Sequence, residues 1–168
     1  LHAGEAQGRA TQAQVYLVRG NLPWETLGEF DGLFVAAADA PLLKACRSAA
    51  VLAATPRVRL PVLQEAGVSL DALIGSGLDP GERVEPEQLN PAPHTLIRTE
   101  GAAGGLSLPG GRYDPAPLPG RLVESYGCGD CFAAGVVTGL AARWSLANAI
   151  DLGAQCGAAC ATRFGPYG

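Results

Sequence analysis

Short apolar runs alternate with helix-favouring segments along most of the chain. Five runs have the length and composition of strands: residues 14–18, 32–36, 51–54, 72–74 and 95–98. The run at 32–36 (GLFVA) is apolar throughout rather than alternating, which is typical of a strand buried on both faces of a sheet. Helix-like segments follow Asn21 and occupy residues 40–50 and 61–66. This order predicts an α/β fold with a largely parallel sheet flanked by helices.

Residues 104–119 (GGLSLPGGRYDPAPLP) break the alternation of strands and helices. The turn residues Pro109-Gly110-Gly111 separate two short extended pieces, which predicts a small hairpin inserted in the α/β order. Residues 122–125 are predicted as a further strand that runs into a glycine-rich turn. The stretch at 82–93 is the only one with the composition of a linker, so the chain is interpreted as part of one domain, residues 1–168.

Two helices are predicted after the glycine-rich turn, at residues 129–143 and 145–163. Ser145 is a suitable N-cap for the second helix. Gly135 and Gly139 lower the helix propensity of the first, so we expect them to permit close packing against the sheet.

The amino-acid composition and net charge argue against some kinds of binding partner. The chain has 168 residues, of which 48% are hydrophobic and 17% charged, as in a soluble globular domain. A formal net charge of −4 argues against nucleic acid or an anionic membrane as the main partner, because both select for clustered basic residues. The longest apolar run, residues 132–142, is too short to span a bilayer, and no secretory signal is visible, so a cytoplasmic location is predicted. Lys44 is the only lysine and no P-loop precedes it.

The segment Gly127-Cys128-Gly129-Asp130 carries the most informative chemistry. Glycines between a predicted strand and a helix let backbone N–H groups converge at the positive end of the helix dipole. Such amides stabilise the charge of a transferring phosphoryl group, and a carboxylate in the first helical turn can accept a proton from an attacking hydroxyl. Taken alone, these four residues favour an ordinary strand-to-helix turn with an acid stabilised by the dipole, because short glycine motifs match by chance.

The surrounding residues resemble the signature of ribokinase-like (PfkB) kinases. The stretch YGCGDCFAAG resembles the family's second signature, Asp-Thr-x-Gly-Ala-Gly-Asp-x-Phe-x-x-Gly, and keeps its glycines, aspartate and phenylalanine. Upstream, residues 97–104 (IRTEGAAG) resemble the family's strand that ends in Thr-x-Gly-x-x-Gly. The order of these motifs, with a hairpin between them and a closing helix, also matches the family.

The resemblance implies roles for these residues. Asp130 would be the base that deprotonates a sugar hydroxyl. The backbone of Gly127, Cys128 and Gly129 would form the anion hole around the transferring phosphate. The loop that bears Thr99, Gly101 and Gly104 would lie along ATP, and the last helix near residues 155–160 would border the adenine.

Departures from the family pattern affect the metal. The family's Asp-Thr is Glu124-Ser125 here, and its Asn-x-x-Glu segment, which helps to organise Mg²⁺, falls near residues 72–78. That stretch reads ALIGSGL, with only Asp79 and Glu82 nearby. Either Mg²⁺ is held mainly through phosphates and water, or activity is impaired; no residue is predicted as a metal ligand.

The resemblance further implies that the chain is the C-terminal, nucleotide-binding half of such a kinase, with the N-terminal half missing. The chain lacks methionine and begins with Leu1, which also favours a fragment. The N-terminal half supplies most of the sugar pocket in the family, so we expect this segment alone to bind sugar poorly and to turn over slowly or not at all. The acceptor would be a small sugar or nucleoside, and the full-length protein can be a homodimer.

Three other interpretations remain open. Cys128 and Cys131 form a CxxC at a helix N-terminus, as in redox proteins. Together with Cys156 and Cys160 they have spacings compatible with zinc, although small-residue surroundings favour buried cysteines. A non-catalytic ligand-binding module on the same fold would keep the glycines and lose the metal and sugar sites.

Overall fold

The computed structural model describes residues 24–164. The strand predicted at 14–18 and the helix start predicted at Asn21 lie outside the described residues. Six strands are present: β1 (Gly32–Val35), β2 (Val51–Ala54), β3 (Ala72–Ser76), β4 (Leu96–Thr99), β5 (Gly105–Leu108) and β6 (Gly111–Tyr113). The α-helices are α1 (Ala40–Cys46), α2 (Leu60–Ala66), α3 (Cys128–Ala141) and α4 (Leu146–Cys160). Short 3₁₀ turns occupy Trp24–Glu29, Pro56–Val58, Pro80–Glu82, Pro86–Gln88 and Gly101–Ala103.

The six strands form one sheet in sequential order. Strands β1 to β4 are parallel, and β5 and β6 add an antiparallel hairpin next to β4. The largely parallel sheet and the inserted hairpin confirm the predicted architecture. Parallel neighbours need a crossover between them, and α1 and α2 supply it in the first two cases.

Both faces of the parallel strands are covered, which explains their continuous apolar sequences. Leu52 and Leu73 face a core formed with α1 and α2. Their neighbours Ala53 and Ile74 face a second core, formed with α3 and with Ile150 of α4. Successive strand residues therefore serve opposite faces, as the two-residue period of a strand requires.

Two local predictions are wrong because hydrogen bonds within the fold override local composition. Residues 122–125 form no strand; the N–H groups of Val123 and Glu124 donate instead to the carbonyl of Ala161, just after α4. The helix predicted over 40–50 ends at Cys46, because the Arg47 guanidinium binds the carbonyls of Ala49 and Ala50.

The segment that resembles a linker, residues 82–93, is also part of the packed structure. It contains a 3₁₀ turn at Pro86–Gln88, and it buries Val84 and Leu89 in the core beside α2. A salt bridge of 2.8 Å between Glu85 and Arg98 holds it against β4. The proline and acidic residues of this segment therefore belong to an ordered connection rich in turns, not to a flexible linker.

The glycines of α3 face α4 rather than the sheet, contrary to the prediction. A Cβ atom on Gly135 would lie 2.7 Å from the Cα atom of Gly153, and one on Gly139 would lie 2.7 Å from the Cα atom of Ala149. The sheet face of α3 instead presents larger side chains such as Val136 and Phe132. Ser145 caps α4 as predicted, its hydroxyl accepting the N–H of Asn148 at 3.2 Å.

Candidate active site at the carboxyl edge of the sheet

The carboxyl ends of the parallel strands meet at one edge of the sheet. The pairing of Val35 with Ala54, and of Ser76 with Thr99, brings these ends level. In open α/β sheets, ligands bind in the crevice outside this edge. The polar residues that close β2, β3 and β4 therefore lie in the expected place for a site.

The turn that begins α3 also reaches this edge. Gly127 is the N-cap and adopts a left-handed conformation, with φ of 79°, which favours glycine over other residues. No side chain caps the helix, so its first amides depend on the backbone or on a ligand. The Cys128 N–H donates to the Ser125 carbonyl at 3.3 Å, whereas the Gly129 N–H has no partner among the described residues.

This bond changes the predicted anion hole. Cys128 was expected to offer its N–H to an anion, but the structure commits that group to Ser125. The Gly129 N–H remains available, and a Cβ atom on Gly129 would meet nothing within 4 Å. The open position at the start of α3 is therefore centred on Gly129.

A polar cavity of about 330 Å³ opens in front of this turn. Asp130 is exposed on the first turn of α3 and lines it. The cavity is also lined by strand-end residues, by an ion pair and by the turn itself: Phe34, Thr55, Arg57, Ile74, Gly75, Ser76, Glu82, Thr99, Ser125, Tyr126, Gly127 and Gly129. Asp130 thus faces a space large enough for a phosphoryl group and a small acceptor.

An apolar cavity of about 420 Å³ lies on the other side of the turn. Small residues of α4 form one wall, at Ala154, Gly157 and Ala158. Tyr113 of the hairpin stacks on Phe132 of α3, with ring centroids 5.9 Å apart, and both line the cavity. An apolar slot beside an open helix N-terminus suits a flat aromatic ring joined to an anionic group.

The two cavities meet at Thr99, Ser125 and Gly129, which line both. Gly127 and Asp130 line only the polar cavity, and Cys128, Gly101 and Gly104 only the apolar one. The structure therefore places every predicted site residue on the lining of one of these two neighbouring cavities. In α4, Ala154, Gly157 and Ala158 line the apolar cavity, while Gln155 and Cys156 do not.

The loop after β4 is shaped by glycines at the rim of the apolar cavity. Gly104 has φ of 78°, and a Cβ atom there would collide with the carbonyl oxygen of Tyr113. The Gly104 N–H donates to the Gly101 carbonyl at 3.1 Å, and Arg112 ties Glu100 to the hairpin at 2.8 Å. The loop is therefore held at the edge of the cavity by its own backbone and by the hairpin.

Sequence reasoning missed three polar residues of the site: Thr55, Arg57 and Ser76. Thr55 directly follows β2, Ser76 ends β3 and Arg57 lies in the turn after β2, so their position at strand ends is the signal that could have found them. Arg57 makes an ion pair with Glu82, with 2.7 Å between Nε and Oε1. Only the fold brings these two residues together, because 25 positions separate them in sequence.

The thiols at the start of α3 are held in the protonated form. Burial, together with the neighbouring Cys160, raises the pKa of Cys128 to about 11 and that of Cys131 to about 12. A redox-active CxxC needs a thiolate near neutral pH, so these values argue against the redox interpretation. Among residues 24–164, no group of three or more His, Cys, Asp or Glu side chains is arranged to hold a metal ion.

No helix within the described part of the chain is long and apolar enough to cross a membrane.

The chain resembles solved structures of sugar and nucleoside kinases. Ribokinase from Thermotoga maritima superposes with a TM-score of 0.66 at 17% identity, covering 87% of this chain and 55% of ribokinase. A nucleoside kinase from Methanocaldococcus jannaschii, an archaeal member of the ribokinase family, gives 0.61 at 14% identity, with coverages of 85% and 56%. Phosphofructokinase-2 from Escherichia coli superposes with a TM-score of 0.60 at 15% identity, covering 86% of this chain and 56% of that enzyme. These similarities establish a ribokinase-like fold, and the chain spans about half the length of each.

A search of the curated proteins found no match to the sequence. The family model of the pfkB family carbohydrate kinases matches residues 79–168, which is more than half of the chain. That range begins just after β3 and includes the loop after β4, the hairpin and the glycine turn of α3. This chain belongs to the pfkB family of carbohydrate kinases.

Proposed function

We propose that the protein transfers a phosphoryl group from ATP to a hydroxyl of a small sugar or nucleoside. The observation that carries the proposal is the position of Asp130, on the first turn of α3 and facing the polar cavity next to the open amide of Gly129. A base and an anion-binding amide on one helical turn are the two groups that such a transfer needs from a protein.

The chain's own groups support a short sequence of steps. The Asp130 carboxylate accepts the proton of the acceptor hydroxyl while the oxygen of that hydroxyl forms a bond to the terminal phosphorus of ATP. The bond between that phosphorus and the bridging oxygen breaks, and ADP leaves with the electron pair. Meanwhile the Gly129 N–H and the positive end of α3 stabilise the charge on the transferring oxygens.

The apolar cavity fits the adenine of ATP. Its α4 wall is built of small residues, and a Cβ atom on Gly157 would already lie 3.3 Å from the Cys128 carbonyl oxygen. Thr99 and Gly129 line both cavities, so a nucleotide with its base in the apolar cavity can extend its phosphates past them to Asp130. Gly101 and Gly104 would lie along that path.

The described residues do not fit a protein-held Mg²⁺. Glu82 is the buried carboxylate nearest the strand edge, but its two oxygens accept from Arg57 and from the Ser76 N–H. The other nearby acid, Asp79, accepts the Gly81 N–H at 2.8 Å. No step above is therefore assigned to a metal ligand of this chain.

Acceptor-dependent ADP formation tests the proposal. The protein at its natural length is mixed with ATP, Mg²⁺ and single sugars or nucleosides, and ADP is followed by a coupled assay. We expect ADP release that depends on one class of acceptor. Tight ATP binding with no acceptor-dependent release from any hydroxyl compound would favour the non-catalytic module on the same fold.

A further inference from the structure

An arginine is fixed at the entrance of the polar cavity by a buried carboxylate. Glu82 is 6% exposed in its side chain, whereas that of Arg57 is 69% exposed. The Glu82 Oε1 atom accepts the Arg57 Nε–H at 2.7 Å, and its Oε2 atom accepts the Ser76 N–H at 2.8 Å. Both carboxylate oxygens are thus engaged, and the glutamate is held at the end of β3.

This arrangement leaves one end of the guanidinium open. The bond to Glu82 uses Nε, and neither terminal amino group of Arg57 donates to a described residue. Pro56 precedes Arg57 and begins a 3₁₀ turn, and Pro56 also packs where a Cβ atom on Gly75 would lie, at 2.8 Å. The backbone that carries Arg57 is therefore packed directly on β3.

The polar cavity has one cationic side chain among its described lining residues. Among the described residues that line it, Glu82 and Asp130 are the acids and Arg57 is the one cationic side chain. Hydrogen bonding to Glu82, with smaller contributions from Asp130 and Asp79, raises the pKa of Arg57 above its ordinary value. The only lysine, Lys44, lies in α1 and does not line the cavity. Arg57 is therefore the side chain among the described lining residues that can offer positive charge to a phosphoryl group entering beside Asp130.

We propose that Arg57, held in place by Glu82, binds the terminal phosphoryl group of the nucleotide through its two terminal amino groups. A planar guanidinium is suited to two phosphate oxygens, and it supplies positive charge where residues 24–164 offer no group of carboxylates for a metal. This assignment rests on the proposed function. Glu82 is a positioning residue in this arrangement, because it acts only through Arg57.

Binding of two nucleotides that differ in the terminal phosphate tests the assignment. Calorimetry compares ADP with the non-hydrolysable imido analogue of ATP, in the wild type and in Arg57→Gln, Arg57→Lys and Glu82→Gln. Arg57→Gln should lower the affinity for the analogue by about tenfold, since the charge-assisted contact with the terminal phosphate is lost. The affinity for ADP should not change. Arg57→Lys should recover only part of the loss, because an ammonium lacks the planar fork.

Exposed Arg83 supplies the matched control, because it neighbours Glu82 but does not line the cavity. Arg83→Gln should leave both affinities unchanged. Glu82→Gln should weaken the analogue less than Arg57→Gln, and its thermal unfolding shows whether the fold is retained. Equal losses for ADP and the analogue, or no loss for either, would overturn the role of Arg57. A change confined to the KM for the acceptor would overturn it too, because Arg57 would then bind an anionic group of the acceptor rather than the nucleotide.

This test separates the two proposals. The role of Asp130 is tested by turnover, and the role of Arg57 is tested by the ratio of the binding constants for the imido analogue and for ADP. An unchanged ratio in Arg57→Gln, with turnover still lost in Asp130→Asn, would remove only the assignment of Arg57. Full turnover in Asp130→Asn would remove the proposed base, while the ratio would still decide whether Arg57 binds the terminal phosphate.

Discussion

Gly135 and Gly153 meet where α3 crosses α4, so closely that a Cβ atom on Gly135 would lie 2.7 Å from the Cα atom of Gly153. The reverse contact is equally close, because a Cβ atom on Gly153 would lie 2.7 Å from the carbonyl oxygen of Phe132. Phe132 is two residues beyond Asp130. The packing of α4 therefore fixes the first turns of α3, where the proposed base and anion-binding amide lie.

Gly135→Ala should destabilise the fold. Alanine favours a helix by about 1 kcal/mol over glycine, but here the new methyl group meets backbone atoms of Leu152 and Gly153, which cannot rotate away. Overpacking typically costs about 1–3 kcal/mol, so we expect a net loss of about 1–2 kcal/mol in the free energy of unfolding. Chemical denaturation followed by circular dichroism measures it.

Thr138→Ala on the exposed face of α3 is the control, and it should change the free energy of unfolding by less than about 0.5 kcal/mol. A Gly135→Ala variant more stable than the wild type would show that the two helices are not packed as closely as described.

Much of the sheet could be predicted because its strands are apolar on both faces. Residues 51–54 were predicted without error, and the hairpin turn was evident from Pro109 and the glycines that follow it. The wrong strand at 122–125 has a different origin, since its apolar residues Leu122 and Val123 remain exposed beside the end of α4. Local composition does not reveal such a long-range backbone partner.

In the candidate site too, residues of a local motif could be predicted, whereas residues brought together only by the fold could not. The glycine turn and Asp130 form a local motif, so the sequence could reveal them. Arg57 lies in the 3₁₀ turn after β2, and its role depends on Glu82, which lies beside it because β2 and β3 are paired. The direction of Gly135 was also mispredicted, because helical period alone does not distinguish a sheet from a second helix.

Ala158→Leu should block the nucleotide. Ala158 lines the apolar cavity on α4, so a larger side chain there would occupy the space proposed for the base. We expect at least about a tenfold loss of ATP affinity, equivalent to about 1.4 kcal/mol. Gln155→Leu is the control, because Gln155 is exposed on the same helix and does not line the cavity. Equal ATP affinity in the wild type and Ala158→Leu would place the base elsewhere.

Asp71 should stabilise the fold only when ionised. Burial opposes its charge, but hydrogen bonds from the Leu52 N–H and Arg47 outweigh that cost and lower the pKa of Asp71. Its contribution is therefore complete above the ordinary aspartate pKa of about 3.9 and is lost as the pH falls through the lower folded value. At pH 7, Asp71→Asn should cost about 1–3 kcal/mol.

The difference in unfolding free energy between the wild type and Asp71→Asn should shrink below about pH 4. Exposed Asp151 on α4 provides the comparison, and Asp151→Asn should show a small effect at every pH. A constant difference for Asp71→Asn down to pH 2 would contradict a lowered pKa.

Cys128 and Cys131 should react slowly with alkylating reagents. Burial raises the pKa of both thiols, to about 11 for Cys128, so little thiolate exists at pH 7.5. We expect iodoacetamide to modify them at least about tenfold more slowly than free cysteine, by peptide mass spectrometry. Modification as fast as free cysteine at pH 7.5 would revive the redox interpretation.

The central claim is that Asp130 takes the proton of the acceptor while the turn beside it holds the phosphoryl group. Its most direct test is turnover and ATP affinity in the wild type and Asp130→Asn, at the protein's natural length and with one acceptor. Removing a general base should lower kcat by about 10²–10⁴-fold and leave ATP affinity within about threefold. Turnover that survives in Asp130→Asn would contradict the account.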